Sequence, residues 1–242
     1  MEGRLTAKAV MQELEQYIIP EKAAFFPRFF KTGKGQYGEG DLFIGVTVPS
    51  QHKVARMFKM LPLAEIQKLL DSKIHEHRLT GIMILCLQYA KAKTVEEKHP
   101  FIDFYLKNTY RVNNWDLVDS SAHIVGLWEI ETGEELLEKL SRSEMLWEQR
   151  ISIVGTYPMI KANKLALTFK IAESFLTHKH DLMHKAVGWM LREAGKRDIS
   201  LLVSFLDRFA TKMPRTMLRY AIEKFPEDQR QYYLKLRSVN TK

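Results

Sequence analysis

Trp115 and Asp119 stand four residues apart in segment 113–121, and the two side chains could do chemistry as a pair. In an α-helix, residues at this spacing lie one above the other on the same face. A preorganised carboxylate can stabilise a developing positive charge, and the face of an indole attracts a cation. A tryptophan and a carboxylate on one helical face are an unusual pair in a basic chain, so this helix is a candidate functional site.

The segment that carries this pair has the features of a helix start. Either Asn113 or Asn114 can cap the helix, and Asp116 in the first turn suits the positive end of the helix dipole. Apolar residues follow at helical spacing, so we predict a helix that runs to about residue 129 and packs in a core. These residues are Leu117, Val118, Ile124, Val125 and Leu127.

The elements around this helix are also predicted to be helices, joined by short connectors. The predicted helices include 145–157, 181–196 and 226–237. The pattern predicts an all-α fold, specifically an α-solenoid of HEAT-like helical pairs. We expect a single domain over 1–242, with an N-terminal helical pair at 1–31, a glycine-rich, flexible link at 32–48 and stacked helical repeats at 49–237.

The second predicted helix, which starts at Pro20, carries four phenylalanines close together. Four rings exceed what one core face needs, so some could face outward as a stacking or wedge surface. A short helix buried on two sides would account for them equally well. The four are Phe25, Phe26, Phe29 and Phe30.

The composition restricts the classes of partner. The 242 residues include 37 Lys and Arg against 29 Asp and Glu, which leaves a formal net charge of +8. This surplus favours a polyanion, with nucleic acid first and an anionic membrane second. From these residues we expect neither a signal peptide nor a membrane-spanning helix. The lone cysteine, Cys86, lies in an apolar run and indicates a small buried side chain in a reducing cytoplasm.

Several familiar cofactor motifs are absent or misplaced. The stretch 33–38 matches GxGxxG only formally, because a helix and not a strand precedes it, and GxxxxGK[ST] does not occur. We therefore expect no nucleotide cofactor. His75 and His77, like His178 and His180, are two residues apart and point away from each other on a helix, so we expect no metal site.

Other aromatic and basic residues recur at helical spacing further along the chain. Trp147 and Arg150 are three apart, and Lys185, Trp189 and Arg192 share one predicted face. Taken singly, each tryptophan could be core and each cation part of a solvated face. Further basic positions are Lys161, Lys164, Lys196, Lys212, Arg215 and Arg219.

Together, segments 114–119, 147–151 and 185–196 resemble three signature segments of the AlkD family, bacterial DNA glycosylases built of HEAT-like repeats that excise alkylated purines. Segment 20–31 resembles the second helix of that family. The resemblance implies that Trp115, Asp119 and Trp189 surround the lesion and its sugar, and that Arg150 lies near the DNA backbone. At the position of Phe29 the better-known members carry a tyrosine, so this chain keeps the ring and lacks the hydroxyl.

The function implied by the resemblance is hydrolysis of the N-glycosidic bond of cationic alkylated purines, such as 7-methylguanine and 3-methyladenine, in double-stranded DNA. The lesion would stay largely stacked, and a monomer without cofactor would suffice. No lysine stands beside Asp119 to form a Schiff base, so we expect no strand cleavage. The alternatives are a non-catalytic HEAT-like protein that binds branched or damaged DNA, and a protein-interaction scaffold. The expected DNA contacts are Phe29, Arg150, Lys161, Lys185, Arg192 and Arg215.

Overall fold

The computed structural model describes residues 5–236 and confirms the all-α fold. Within that range the only β pairing is an isolated parallel bridge between Leu42 and Ile74. None of the helices there combines the length and apolar composition needed to cross a membrane. The α-helices are α1 (Ala7–Glu15), α2 (Pro20–Phe29), α3 (Val48–Met57), α4 (Leu63–Leu70), α5 (His75–Lys91), α6 (Val95–Lys107), α7 (Trp115–Ser121), α8 (His123–Thr132), α9 (Leu136–Ser141), α10 (Leu146–Val154), α11 (Tyr157–Lys161), α12 (Ala166–Ser174), α13 (Asp181–Gly195), α14 (Ile199–Phe209), α15 (Arg215–Ala221) and α16 (Glu227–Lys235).

Two predicted helices are each divided in the structure. The helix expected to run from Trp115 to about residue 129 is interrupted at Ala122, where α7 ends and α8 begins. The Ser121 hydroxyl donates to the Leu117 carbonyl (2.7 Å), a contact that bends helices. The helix expected over 145–157 ends at Val154, because a proline in the first turn of α11 starts a new helix. Residue 237, the expected end of the last helix, lies outside the described residues.

The chain forms two compact units, Met1–Ile124 and Val125–Lys242. In the first unit α5 is central and packs against α3, α4, α6 and α7. Every residue of α5 from 75 to 85 is buried, including His75, Glu76 and Arg78 in its first turns. Buried charges need partners, and those of α5 bind the segments around the candidate site.

Burial also raises the pKa of the Cys86 thiol to about 12, which leaves it unreactive.

In the second unit α13 is central and packs against α10, α11, α12, α14 and α15. Gly188 allows α15 to approach closely, because a Cβ atom there would lie 2.5 Å from the Met217 carbonyl oxygen. Amphipathic α13 buries one face, which includes Met183, Val187 and Leu191, and leaves the neighbouring Trp189 half-buried.

The loop before α3 is fastened to α5 by Glu76. This buried carboxylate accepts hydrogen bonds from the backbone N–H groups of Ile44 (3.1 Å), Gly45 (2.8 Å) and Val46 (3.3 Å). Backbone amides that converge on an anion in this way hold a loop in one conformation. The second half of the link predicted at 32–48 is therefore tied to the core helix of its unit.

We expect Gly45→Ala to destabilise the first unit more than Gly40→Ala. Both glycines have positive φ, +85° and +88°, so either substitution strains the backbone by about 1 kcal/mol. A Cβ at Gly45 would also lie 2.2 Å from the Ile19 carbonyl oxygen, whereas one at Gly40 meets nothing within 4 Å. Overpacking should add about 1–3 kcal/mol to the cost at Gly45. Urea unfolding of both variants measures the difference, and equal costs would contradict the close approach.

Candidate active site

A cavity of about 370 Å³ lies in the first unit beside α7. Trp115 and Asp119 both line it, as expected for two residues on one helical face, and both are half-buried. Phe29 and Phe30 line it from the end of α2, and Phe43 from the following loop. The cavity therefore combines the Asp119 carboxylate with a largely aromatic wall.

Stacked rings hold Trp115 in place. The indole stacks on Phe30 with ring centroids 5.4 Å apart and an interplanar angle of 16°. Phe30 stacks on Phe43 (4.9 Å, 15°), and Phe43 stacks on the His75 imidazole (4.7 Å, 24°). Phe29 meets Trp115 edge-on at 5.9 Å. Four rings in series fix the orientation of the indole, since tilting it would break contacts with Phe30.

A buried ion network lies behind this stack. The His75 imidazole contacts Asp41 through Nδ1 (3.0 Å) and Asp116 through Nε2 (2.7 Å). The Arg78 guanidinium donates to Asp41 (2.7 Å) and to the Ser72 carbonyl (2.9 Å). His75, Arg78, Asp41 and Asp116 are all at most 8% exposed. The two positive charges equal the two negative charges in number, and their attraction offsets the free-energy cost of removing these groups from water.

The pKa values agree with a protonated histidine in this network. Burial alone would lower the pKa of His75, but the charge and hydrogen bond of Asp116 and the hydrogen bond of Asp41 raise it to about 9. Burial alone would raise the pKa of Asp41, but His75 and Arg78 hold it below its usual value. An imidazolium at neutral pH donates from both nitrogens, one to each carboxylate.

These contacts determine the position of α7. Asn114, one of the two predicted caps, is the N-cap, and its side-chain oxygen accepts from the Trp115 N–H (2.8 Å). Asn113 instead accepts a hydrogen bond from Arg78 (3.2 Å). The second oxygen of Asp116 accepts from the Leu117 N–H (2.9 Å). The first turn of α7 is thus bound to α5 through Asp116 and His75, which line the same cavity as Trp115 and Asp119.

The second unit carries the other predicted tryptophan and several predicted DNA contacts. Trp189 on α13 is half-buried, with its ring centroid 6.3 Å from that of Tyr157. The exposed Lys161 places its ammonium 4.7 Å from the centre of the Tyr157 ring. Arg215 is exposed and donates to the Leu234 carbonyl (2.8 Å). The roles of Trp189, Lys161 and Arg215 stay predictions.

Two further predicted contacts are engaged with groups of the protein itself. Lys185 pairs with Asp181 one turn earlier (2.7 Å), and Arg192 pairs with Glu193 (3.3 Å) and with Glu223. A phosphate would have to displace these carboxylates or add to them. Their roles in DNA binding also stay predictions.

Arg150 lies deeper than its expected role suggests. It is 5% exposed, and its guanidinium donates to the Leu182 carbonyl (2.5 Å), which ties α10 to α13. A contact with a DNA phosphate would require this side chain to change its partners, and this role also stays a prediction.

The ion network was not predicted from the sequence. Its signal was present in the run His75-Glu76-His77-Arg78, four ionisable residues that open an otherwise apolar helix. We considered these histidines only as metal ligands. In the structure His75 is a charged partner for carboxylates, and Glu76 binds a loop.

Residues 10–225 match the model of the DNA alkylation repair enzyme family. The chain belongs to that family. A solved structure, a predicted DNA alkylation repair enzyme from Enterococcus faecalis, superposes with a TM-score of 0.68 at 18% identity, over 86% of this chain and 96% of that one. At this identity the likeness shows the fold alone, and the comparison with curated proteins gave no match.

The residues that match the DNA alkylation repair enzyme family include the whole candidate site. All residues that line the cavity lie between 26 and 120, within the matched range. The predicted contacts of the second unit, from Arg150 to Arg215, also fall within it. The cavity therefore lies wholly within the part of the chain that matches the DNA alkylation repair enzyme family.

Proposed function

We propose that this chain is a monofunctional DNA glycosylase of the AlkD type. It hydrolyses the N-glycosidic bond of cationic alkylated purines, such as 7-methylguanine and 3-methyladenine, in double-stranded DNA and thereby initiates base excision repair. The observation that carries the proposal is the Asp119 carboxylate on the same cavity wall as Trp115. The family match supports DNA alkylation damage as the substrate class.

One carboxylate suffices because the leaving base is already a cation. Glycoside hydrolysis usually requires a second carboxylic acid to protonate the leaving group. An alkylpurinium takes the bonding electron pair when the bond from C1′ to nitrogen breaks, and it leaves as a neutral base. Positive charge then develops on the sugar, where Asp119 stabilises it. Water adds its oxygen to C1′ and loses a proton to solvent, which yields an abasic site.

The aromatic wall strengthens this effect. An indole face attracts a cation by about 0.5–2 kcal/mol, so Trp115 favours both the alkylpurinium and the developing sugar cation. The rings of Phe29, Phe30 and Phe43 exclude water from the cavity, and a charge interaction is stronger where the effective dielectric constant is lower. Phe29 contributes its ring without a hydroxyl, so the proposed reaction uses no proton from this position.

The second unit supplies the remaining parts of the proposal. Trp189 acts as a second indole that faces the cationic nucleotide, and basic side chains hold the phosphates with a salt-dependent affinity. The helices are proposed to be HEAT-like pairs of an α-solenoid, and the protein to act as a cytoplasmic monomer without cofactor. The proposed DNA contacts are Phe29, Arg150, Lys161, Lys185, Arg192 and Arg215.

Incubation with methylated genomic DNA tests this function directly. We expect mass spectrometry of the soluble fraction to detect 7-methylguanine and 3-methyladenine. The DNA strands should break only after alkali or heat, because no lysine lines the cavity within residues 5–236. Strand breaks without such treatment would contradict the hydrolytic mechanism. Tight DNA binding without base release would favour the non-catalytic alternative, and no DNA binding would favour a protein-interaction scaffold.

A further inference from the structure

Helix α2 carries an exposed ring, Phe25, that the proposed chemistry leaves unused. None of the residues of α2 is buried, and Phe25 is 52% and Phe29 47% exposed. Exposed clusters of large apolar side chains mark interaction surfaces in soluble proteins. Ile18 and Ile19, which directly precede α2 in the chain, are also exposed.

Phe25 lies just outside the cavity and is connected to it by ring contacts. Its ring stacks on that of Phe29 with centroids 5.8 Å apart and an angle of 29°. Phe29 lines the cavity and meets Trp115 edge-on. A row of rings therefore leads from the surface to the wall that carries Asp119, although Phe25 itself is not part of that wall.

The charges around Phe25 indicate the kind of partner. Lys22 and Arg28 stand three residues before and after Phe25, so all three share one face of α2. Both cations are exposed, and the exposed Lys31 follows the helix. A flat apolar ring between two cations fits a polynucleotide, whose bases stack on aromatic side chains while its phosphates bind cations.

We propose that Phe25 is a wedge that inserts between base pairs of duplex DNA beside the alkylated nucleotide, with Lys22 and Arg28 on the flanking phosphates. This inference rests on the proposed function, which supplies duplex DNA as the substrate. Inserted apolar side chains partly unstack a base step and kink the duplex. Unstacking next to the lesion exposes C1′ to Asp119 while the damaged base remains in the helix.

An apolar surface of another protein is the competing occupant of this patch. Two features favour DNA over it. The central ring is flanked by cations on its own helix face, and its stack continues into the wall of the candidate active site. A purely apolar protein partner would leave both cations without a role.

The test uses the full-length protein and a duplex with a tetrahydrofuran abasic-site analogue next to 2-aminopurine. Binding of wild type should raise the 2-aminopurine fluorescence, because unstacking relieves its quenching. Phe25→Ala should abolish that rise and weaken binding about tenfold, whereas Phe25→Tyr should retain both. Tyr232→Ala, which removes a 59% exposed ring from α16, should leave both unchanged. The dependence of binding on salt should stay that of wild type in Phe25→Ala, since no cation is removed.

These outcomes distinguish a failure of the wedge proposal from a failure of the glycosylase proposal. If Phe25→Ala binds and unstacks the duplex as wild type does, the wedge is excluded and an apolar protein surface becomes the occupant of the patch. The glycosylase proposal then still stands if wild type releases methylated bases. Conversely, wedge behaviour without base release by wild type would retain the DNA surface and remove the proposed reaction.

Discussion

An Asp119→Asn variant is expected to release methylated purines roughly 100- to 1,000-fold more slowly than wild type while binding duplex DNA with similar affinity. Removal of one preorganised group that stabilises transition-state charge typically costs this much. The amide has nearly the size of the carboxylate but carries no charge to offset the sugar cation. The measurement is the single-turnover rate of 7-methylguanine release from a duplex, with the dissociation constant determined in parallel.

Asp103→Asn is the matched control for this variant. It makes the same chemical change on a 47% exposed side chain that pairs with Lys107 on the surface of α6. We expect wild-type base release from it, because an exposed pair contributes little to stability or to the cavity. Release by Asp119→Asn at the rate of Asp103→Asn would show that Asp119 is not the group that stabilises the sugar.

An Asp116→Asn variant is expected to lose about 3–5 kcal/mol of stability, the largest effect on folding among these variants. The substitution leaves the buried His75 imidazolium with only one carboxylate partner. It also weakens the contact that holds α7 against α5. Because α7 carries Trp115 and Asp119, base release should also fall in the fraction that remains folded. Urea unfolding at neutral pH measures the loss. Asp71→Asn, which breaks a half-exposed pair with Arg111, should cost less than about 1 kcal/mol.

The same network predicts a dependence of stability on pH. The pKa of His75 is about 9 in the folded protein and about 6.5 in the unfolded chain, so folding raises it. The resulting stabilisation is fully present below pH 6.5 and is lost as pH rises through 9. The shift corresponds to roughly 3 kcal/mol at 1.36 kcal/mol per unit. The free energy of unfolding of wild type should therefore decrease over this range.

The decrease should be much smaller in Asp116→Asn, because the folded state of this variant no longer holds the extra proton on His75 as tightly. The folded-state pKa of Asp41 is lowered, so its contribution is present above its unfolded value and is lost only in acid. The two groups thus act in separate pH ranges. A wild-type profile that is flat between pH 6.5 and 9 would mean that His75 is neutral in the fold.

The sequence predicted the parts of this molecule that depend on local periodicity. The all-α class, the start of α7 at Trp115 and the shared face of Trp115 and Asp119 all follow from spacing and capping. The end of α7 was not predicted, because it depends on a side-chain hydroxyl, that of Ser121, bonded within its own helix.

Contacts between residues that are far apart in the chain could not be predicted from the spacing of residues in the sequence. Asp41, His75 and Asp116 come from a loop and two helices, and only the packed fold brings them together. Burial then gives His75 a role that the sequence did not indicate, since the spacing of His75 and His77 was considered only for metal binding. For the same reason Arg150 is found holding α10 to α13, a contact that its distance from Leu182 in the sequence does not indicate.

The single-turnover rate of 7-methylguanine loss from a duplex with one lesion, compared with spontaneous loss from the same duplex, tests the central claim most directly. The proposed mechanism predicts that saturating wild-type protein accelerates release by several orders of magnitude. It also predicts an intact strand with an abasic site as the other product. Release at the spontaneous rate while the protein is demonstrably bound to the duplex would contradict it.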